Sequence, residues 1–449
     1  MIGLLENEMQ KKLGTFDSVH LLVGGMIGSA IFSLSGLTIY LAGPASILSW
    51  ILGALILFAY GLQTAELASR YPHSGGVFTF PALLLGKTRE QGKLWGWISA
   101  WAYLFGCIAG AAFSAIYIGI YLSVAFPFFS TLQVPLALIA VLFSGILNGL
   151  RFRITGRTTT FLTLFLAGTL IVYAAAVFTG GSWNPALFKP FFSQGSGGAT
   201  GFFDALPLAM VAYGAIVALS FLVGEVENPN KTIPKAMAIA MAVVLVLYLF
   251  VLVATLGLVS SGYLEANAGM RYIPLYAAAS FVPSLSFLTP LISISAVLAL
   301  LTTMIVTMAL AARTLQASSE NGVLAPFLAK ENAKSGAAIP ATIVITLVTG
   351  FFSAIPQLTN LLINLGALCN VIVVAIVCLT VLAERKQHPT LEQGYFRAPG
   401  GKALPLITLV VLVATYIPGV LQGGWQLWAA TALYYVIGMV LYVLRRKAA

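Results

Sequence analysis

Residues 24–32 read GGMIGSAIF and lie in the middle of an apolar run from Thr15 to Leu41. Each glycine inside a helix costs about 1 kcal/mol relative to alanine, so Gly24, Gly25 and Gly28 invite the backbone to unwind there. A broken helix offers chemistry without a charged side chain. The start of the second half exposes N–H groups with partial positive charge, which suit an anion such as a carboxylate. The end of the first half exposes carbonyls, which suit an ammonium group or a metal cation. A zwitterion carrying both charges side by side matches both ends. The competing reading of Gly24 and Gly28 is a small-xxx-small helix-packing pair. A second interrupted run, LPLAMVAYGAIVALSF, has Pro207 near its start and Tyr213-Gly214 near its centre.

These breaks need a bilayer around them to matter. Of the 449 residues 59% are hydrophobic and 8% are charged, against about 25% charged in an ordinary soluble protein. Twelve apolar runs approach the ~20 residues that span a bilayer: 16–41, 44–69, 94–125, 132–149, 158–179, 202–224, 236–260, 284–312, 338–355, 360–383, 404–421 and 425–444. The spacing predicts one all-α polytopic membrane domain, with no soluble domain between the runs. The N-terminus lacks the pattern of a cleavable signal peptide. Placing both termini in the cytoplasm puts 21 of the 23 Lys and Arg on the cytoplasmic side, leaving only Lys189 and Arg271 outside. The net charge of +10 is therefore a topology signal, and no nucleic-acid partner is expected. Cys107, Cys369 and Cys378 fall in apolar runs without metal-type spacing and read as small buried side chains.

In hydrocarbon, unwound backbone is tolerated only when buried in protein or lining a cavity. The interrupted runs are the first and the sixth. Five is odd, so two five-span units, 16–179 and 202–383, run inverted to each other, with 404–444 adding two further spans. Paired breaks in corresponding spans of inverted repeats point to a transporter site near the bilayer midplane.

Four stretches carry a resemblance to the amino acid–polyamine–organocation superfamily of permeases. They are GGMIGSAIF, AELASRYPHSGGVFTF at 65–80, GEVENPNKTIPKAM at 224–237 and ARTLQASSENGVLAPF at 312–327. The resemblance implies a LeuT-like fold with broken spans one and six, and alternating-access transport of amino acids by a cell-membrane permease. It implies carboxylate-binding amides at Ser29, Ala30 and Ile31. Amine-binding carbonyls match Met26, Ile27, Val211, Ala212 and Gly214, with Tyr213 supplying aromatic area. Relatives often have Gly-Ser-Gly where this chain has Gly28-Ser29-Ala30, and often an aromatic lid where Val211 stands. Some relatives bury a lysine in span five, where this chain has Phe165 or Leu166. In sodium-coupled members of the broader fold, the matching ion ligands are carbonyls of Gly24 and Ile27 with hydroxyls of Thr302 and Thr303. Hydroxyl and carbonyl oxygens suit a hard cation, and helix packing is the other reading of the two threonines. Residues 71–85 are expected to form a re-entrant or in-plane helix turning at Gly75-Gly76.

Other residues have plainer readings. Glu225, at the inner end of span six, reads as a cap or ion-pair member. Glu66, near the inner end of span two, pairs with Arg70 or serves a gate. Pro229 and Pro234 end span six and start span seven. His20, His73 and His388 are far apart in sequence and form no catalytic pattern, so no enzyme, cofactor or resident metal is expected. Rival readings are a divalent-metal or organic-cation transporter of the same fold and a non-transporting receptor. Met26 is the one soft ligand at the breaks, too little for a metal site. With no carboxylate placed at the breaks, neutral amino acids are the expected substrates, with sodium or proton coupling or exchange as the drive.

Overall fold

The computed structural model describes residues 12–71, 76–150, 156–192, 199–221, 223, 226–332, 336–390, 394–422 and 424–448. Gly75, His73 and Glu225 lie outside them. Each of the twelve runs holds a helix, and no strand occurs among the described residues. Eight helical stretches are long and apolar enough to cross a membrane, and Gln133–Gly149, Ile339–Ser353 and Ala403–Tyr416 are shorter apolar helices.

The first run is split into α1 (Thr15–Met26) and α2 (Ser29–Ala42). After α3 (Ser46–Arg70) comes the short α4 (Gly76–Leu84), the helix expected within 71–85. Then follow α5 (Arg89–Ala125), α6 (Gln133–Gly149) and α7 (Gly156–Thr179). The sixth run begins as α8 (Ala199–Val211) and continues as a 3₁₀ segment, Gly214–Phe221. The next elements are α9 (Pro229–Leu256), two short helices α10 (Ser261–Ala266) and α11 (Pro274–Phe281), and α12 (Thr289–Glu320). The chain ends with α13 (Ile339–Ser353), α14 (Thr359–Gln387), α15 (Ala403–Gln422) and α16 (Gly424–Ala448).

Pro229 opens α9 at its first helical position, where its missing N–H costs nothing, and the preceding Asn228 takes the left-handed conformation at φ 44°. Pro234 does not mark a boundary: it lies inside α9.

Packing sorts the helices around the two breaks. The first half-span α1 lies against α7, α9 and the 3₁₀ segment, and α2 lies against α8. The long α5 packs along α12 and α14. Short helices α10 and α11, with the 3₁₀ turn Ala268–Tyr272 between them, cover α2. There the backbone of Arg271 comes so close that any Cβ at Gly36 collides with its carbonyl, and the Arg271 guanidinium sits 3.7 Å from the centre of the Tyr40 ring. The chain just before α1 pairs with the chain after span six, through a bridge between Leu13 and Val226 and a bond from the Glu227 N–H to the Leu13 carbonyl at 2.9 Å. Both broken spans are thus tied together at one end.

Candidate functional site

The break in the first span is two residues long. The Ile27 N–H still donates to the Val23 carbonyl at 2.8 Å, but Ile27 has left helical geometry at ψ 78°. Gly28 donates back to the Met26 carbonyl at 2.7 Å, and α2 starts at Ser29. Gly28 is required by a close approach: a Cβ there would strike the Thr303 hydroxyl of α12. Met26, Ile27, Ser29, Ala30 and Ile31 are all buried.

An α-helix leaves its first amides without partners in the helix. At the start of α2 the Ser29 N–H finds one across the structure, the Thr303 Oγ1 at 3.2 Å. The Met26 carbonyl accepts from the Tyr248 hydroxyl of α9, as well as from Gly28. Tyr248 is held edge-on by Trp50 of α3, with ring centres 5.2 Å apart, and tilted against Tyr213 at 5.7 Å. The indole of Trp50 is anchored in turn by the Thr38 hydroxyl of α2 at 3.0 Å. Tyr213 is fully buried, and its hydroxyl has no hydrogen-bond partner among the described residues. Thr303 and Tyr248 reach the break itself, Trp50, Tyr213 and Thr38 stand behind Tyr248, and none of the five brings a charge to it.

The sixth span breaks differently from a pair of α-helical halves. The Ala212 and Tyr213 N–H groups close tight bonds to the Ala209 and Met210 carbonyls at 3.2 and 3.1 Å, and Ile216 does the same to Tyr213 at 3.1 Å. The backbone then stays 3₁₀ through Phe221, although runs beyond three or four residues are uncommon and often mark a hinge. Val211 is half-buried, Ala212 is buried and Gly214 is exposed, with open space where its Cβ would stand. Gly25 of α1 is also exposed and lies against Ala215. The two breaks therefore meet, at a place where both backbones reach open space.

The residues expected to hold a cation divide. Thr302 turns its hydroxyl to the Ala299 carbonyl of its own helix at 3.0 Å, while Thr303 reaches the Ser29 amide. Gly24 is half-buried. On α7, Leu166 is buried and Phe165 half-buried, and one helical turn on from Phe165 the Thr169 hydroxyl meets that of Ser295 at 2.8 Å. Among the described residues no three His, Cys, Asp or Glu side chains are grouped to hold a metal.

The charged groups gather elsewhere. Glu66 does not pair with Arg70. Its carboxylate takes the fully buried Arg385 of α14 as a two-pronged partner, with Nε to Oε1 at 2.8 Å, and it accepts the Ala398 N–H at 2.9 Å. Arg385 also donates to the Ala398 and Gly401 carbonyls, and Arg70 instead pairs with Glu384 at 3.2 Å. Helix ends α3 and α14 and the segment 394–401 are thereby held as one unit.

Glycines mark the break in the sequence, but they do not point to Tyr248 and Trp50 as part of it. The available signal was a hydroxyl-bearing aromatic inside the aliphatic run VLVLYLFVLV, since a buried tyrosine hydroxyl needs a partner.

A protein-family profile described as "Amino acid permease" matches residues 13–441. The chain is 26% identical to the branched-chain amino acid permease BcaP of Bacillus subtilis, over 98% of this chain and 94% of that protein. It is 26% identical to a methylthioribose transporter of the same organism, over 97% of this chain and 93% of that one. With the serine/threonine exchanger SteT of Bacillus subtilis it shares 28% identity, over 52% of this chain and 51% of the exchanger.

Proposed function

Because the chain belongs to the amino acid permease family of the amino acid–polyamine–organocation superfamily, we propose that this multi-pass membrane protein carries neutral amino acids by alternating access. The observation that supports this most is the break at Ile27-Gly28, where a carbonyl end and an amide end lie side by side among uncharged side chains. In this reading the amides of Ser29, Ala30 and Ile31 take the carboxylate. Carbonyls of Met26, Ile27, Val211, Ala212 and Gly214 take the ammonium group, and Tyr213 lines the side-chain pocket.

The reading includes twelve spans, with 16–179 and 202–383 as inverted five-span repeats and 404–444 as two additional spans. Both termini lie in the cytoplasm of a cell with the protein in its plasma membrane, as the distribution of Lys and Arg favours. A cation near the Thr302 hydroxyl and the carbonyls of Gly24 and Ile27 assists the cycle, because buried carbonyls left without partners are costly, while the Thr303 hydroxyl is engaged by the Ser29 amide. The full-length likeness to a methylthioribose transporter supplies the second reading, a solute without a carboxylate.

One uptake panel in proteoliposomes separates these readings. Radiolabelled L-leucine, L-serine, L-arginine and methylthioribose are offered at fixed pH and membrane potential, with sodium or with choline in its place. The expected result is uptake of a neutral amino acid, no effective competition by arginine, and a lower initial rate in choline. Arginine displacing label better than any neutral amino acid removes the neutral-substrate reading. Uptake of methylthioribose alone removes the amino acid, and rates unchanged across a wide sodium range remove sodium.

A further inference from the structure

A polar break inside a membrane must have its N–H and C=O groups satisfied at every stage of a transport cycle, loaded or empty. In this structure two hydroxyls from distant helices satisfy one group at each end of the break. Tyr248 donates to the Met26 carbonyl, and Thr303 accepts from the Ser29 N–H. The contact of Thr303 is specific in three ways. Its neighbour Thr302 bonds within its own helix. Its approach depends on the absent side chain of Gly28. Its oxygen meets the first amide of α2, the end of the break that suits an anion, and not the carbonyl end that suits a cation.

We infer that the Thr303 hydroxyl is a stand-in for the substrate carboxylate and becomes a recognition group when the substrate displaces it. This rests on the reading that an amino acid carboxylate binds at Ser29–Ile31. A hydroxyl can both accept and donate. In this structure Thr303 accepts from the Ser29 N–H. With a carboxylate on that amide, the same hydroxyl rotates and donates its hydrogen to the carboxylate. Hydrogen bonds to ionised groups are about twice as strong as neutral ones. The bond gained therefore exceeds the bond surrendered, and the exchange favours loading. A ligand without a carboxylate breaks the Ser29–Thr303 bond and gains nothing in return, so Thr303 also discriminates against amines.

The test uses the purified full chain in detergent and two ligand pairs: L-leucine with isoamylamine, and L-serine with ethanolamine. Each amine is its amino acid without the carboxylate. Wild type, Thr303→Val and Thr303→Ser are compared by equilibrium binding, with sodium and with choline. Thr303→Val keeps the shape and loses the hydroxyl, so its amino acid affinity is expected to fall about tenfold. Its amine affinity rises, because no Ser29–Thr303 bond is left for the amine to break, and its sodium response matches wild type. Thr303→Ser is expected to restore the amino acid affinity. The inference is overturned if Thr303→Val binds the amino acid like wild type, if amine and amino acid weaken together, or if only the sodium response is lost. A wild type that binds acid and amine equally, or neither pair, fails at the underlying site and takes this inference with it.

Discussion

Gly28→Leu is expected to abolish amino acid binding while the protein still folds. The Thr303 hydroxyl occupies the place where any Cβ at residue 28 would go, and the next nearest atoms, the carbonyls of Gly25 and Met26, are 3.8 Å away. A side chain there must turn the Thr303 side chain aside, push α12 from α2 or turn the start of α2 away, and each separates the Ser29 amide from its partner. Crowding a packed site of this kind costs about 1–3 kcal/mol, small enough for a large membrane core to absorb but concentrated on the amides proposed to bind substrate. The smaller Gly28→Ala meets the same hydroxyl and should fall between leucine and wild type. Thermal unfolding and gel filtration check the fold, and equilibrium binding of L-leucine and L-serine checks the site. Full affinity in the leucine variant would show that the break is only a packing device.

Breaking the Glu66–Arg385 pair should have the largest effect on stability. Arg385 is 1% exposed and Glu66 is 4% exposed, so Glu66→Leu leaves a guanidinium charge buried and uncompensated. Loss of one partner of such a pair costs about 3–5 kcal/mol, and a clear drop in the melting temperature of the purified protein is expected. Replacing both members by apolar residues of similar volume is often neutral. The double variant Glu66→Leu, Arg385→Met should therefore melt well above Glu66→Leu alone. The remaining loss in the double variant measures the backbone groups that lose their partners, the Ala398 N–H and the Ala398 and Gly401 carbonyls. Equal melting temperatures for wild type and Glu66→Leu would mean that Arg385 is served by the carbonyls of Ala398 and Gly401 alone.

Local chemistry made some of this structure readable in advance. Apolar runs found the helices because burial in lipid demands them. The split between α1 and α2 fell on Ile27-Gly28, among the glycines that permit it. Pro229 took the first position of α9, where its missing N–H costs nothing, but the Asn228 before it is left-handed and not in the extended conformation that a following proline favours. Long-range partnerships were not readable. Glu66 had an arginine four residues along its own helix and took one 319 residues away, because helix packing, not sequence spacing, decides which cation reaches the end of α3. Thr302 and Thr303 look equivalent in a sequence, but adjacent helix positions point in different directions, and only one of them faces α2. The 3₁₀ course of Gly214–Phe221 has no compositional signature beyond Gly214, since the residues that follow are ordinary helix or strand formers. How amides and carbonyls at the breaks engage a ligand rests on chemistry that no side-chain pattern displays.

The most direct test of the proposed site asks whether the substrate's carboxylate is what the protein recognises. Counterflow uptake of radiolabelled L-leucine into proteoliposomes, with L-serine as a second label, is competed by the parent amino acid, by its decarboxylated amine and by its methyl ester. If the amides of Ser29, Ala30 and Ile31 seat the carboxylate as proposed, the parent acid should displace label at far lower concentration than the amine or the ester. Equal displacement by all three would contradict the proposal that the start of α2 is the carboxylate seat.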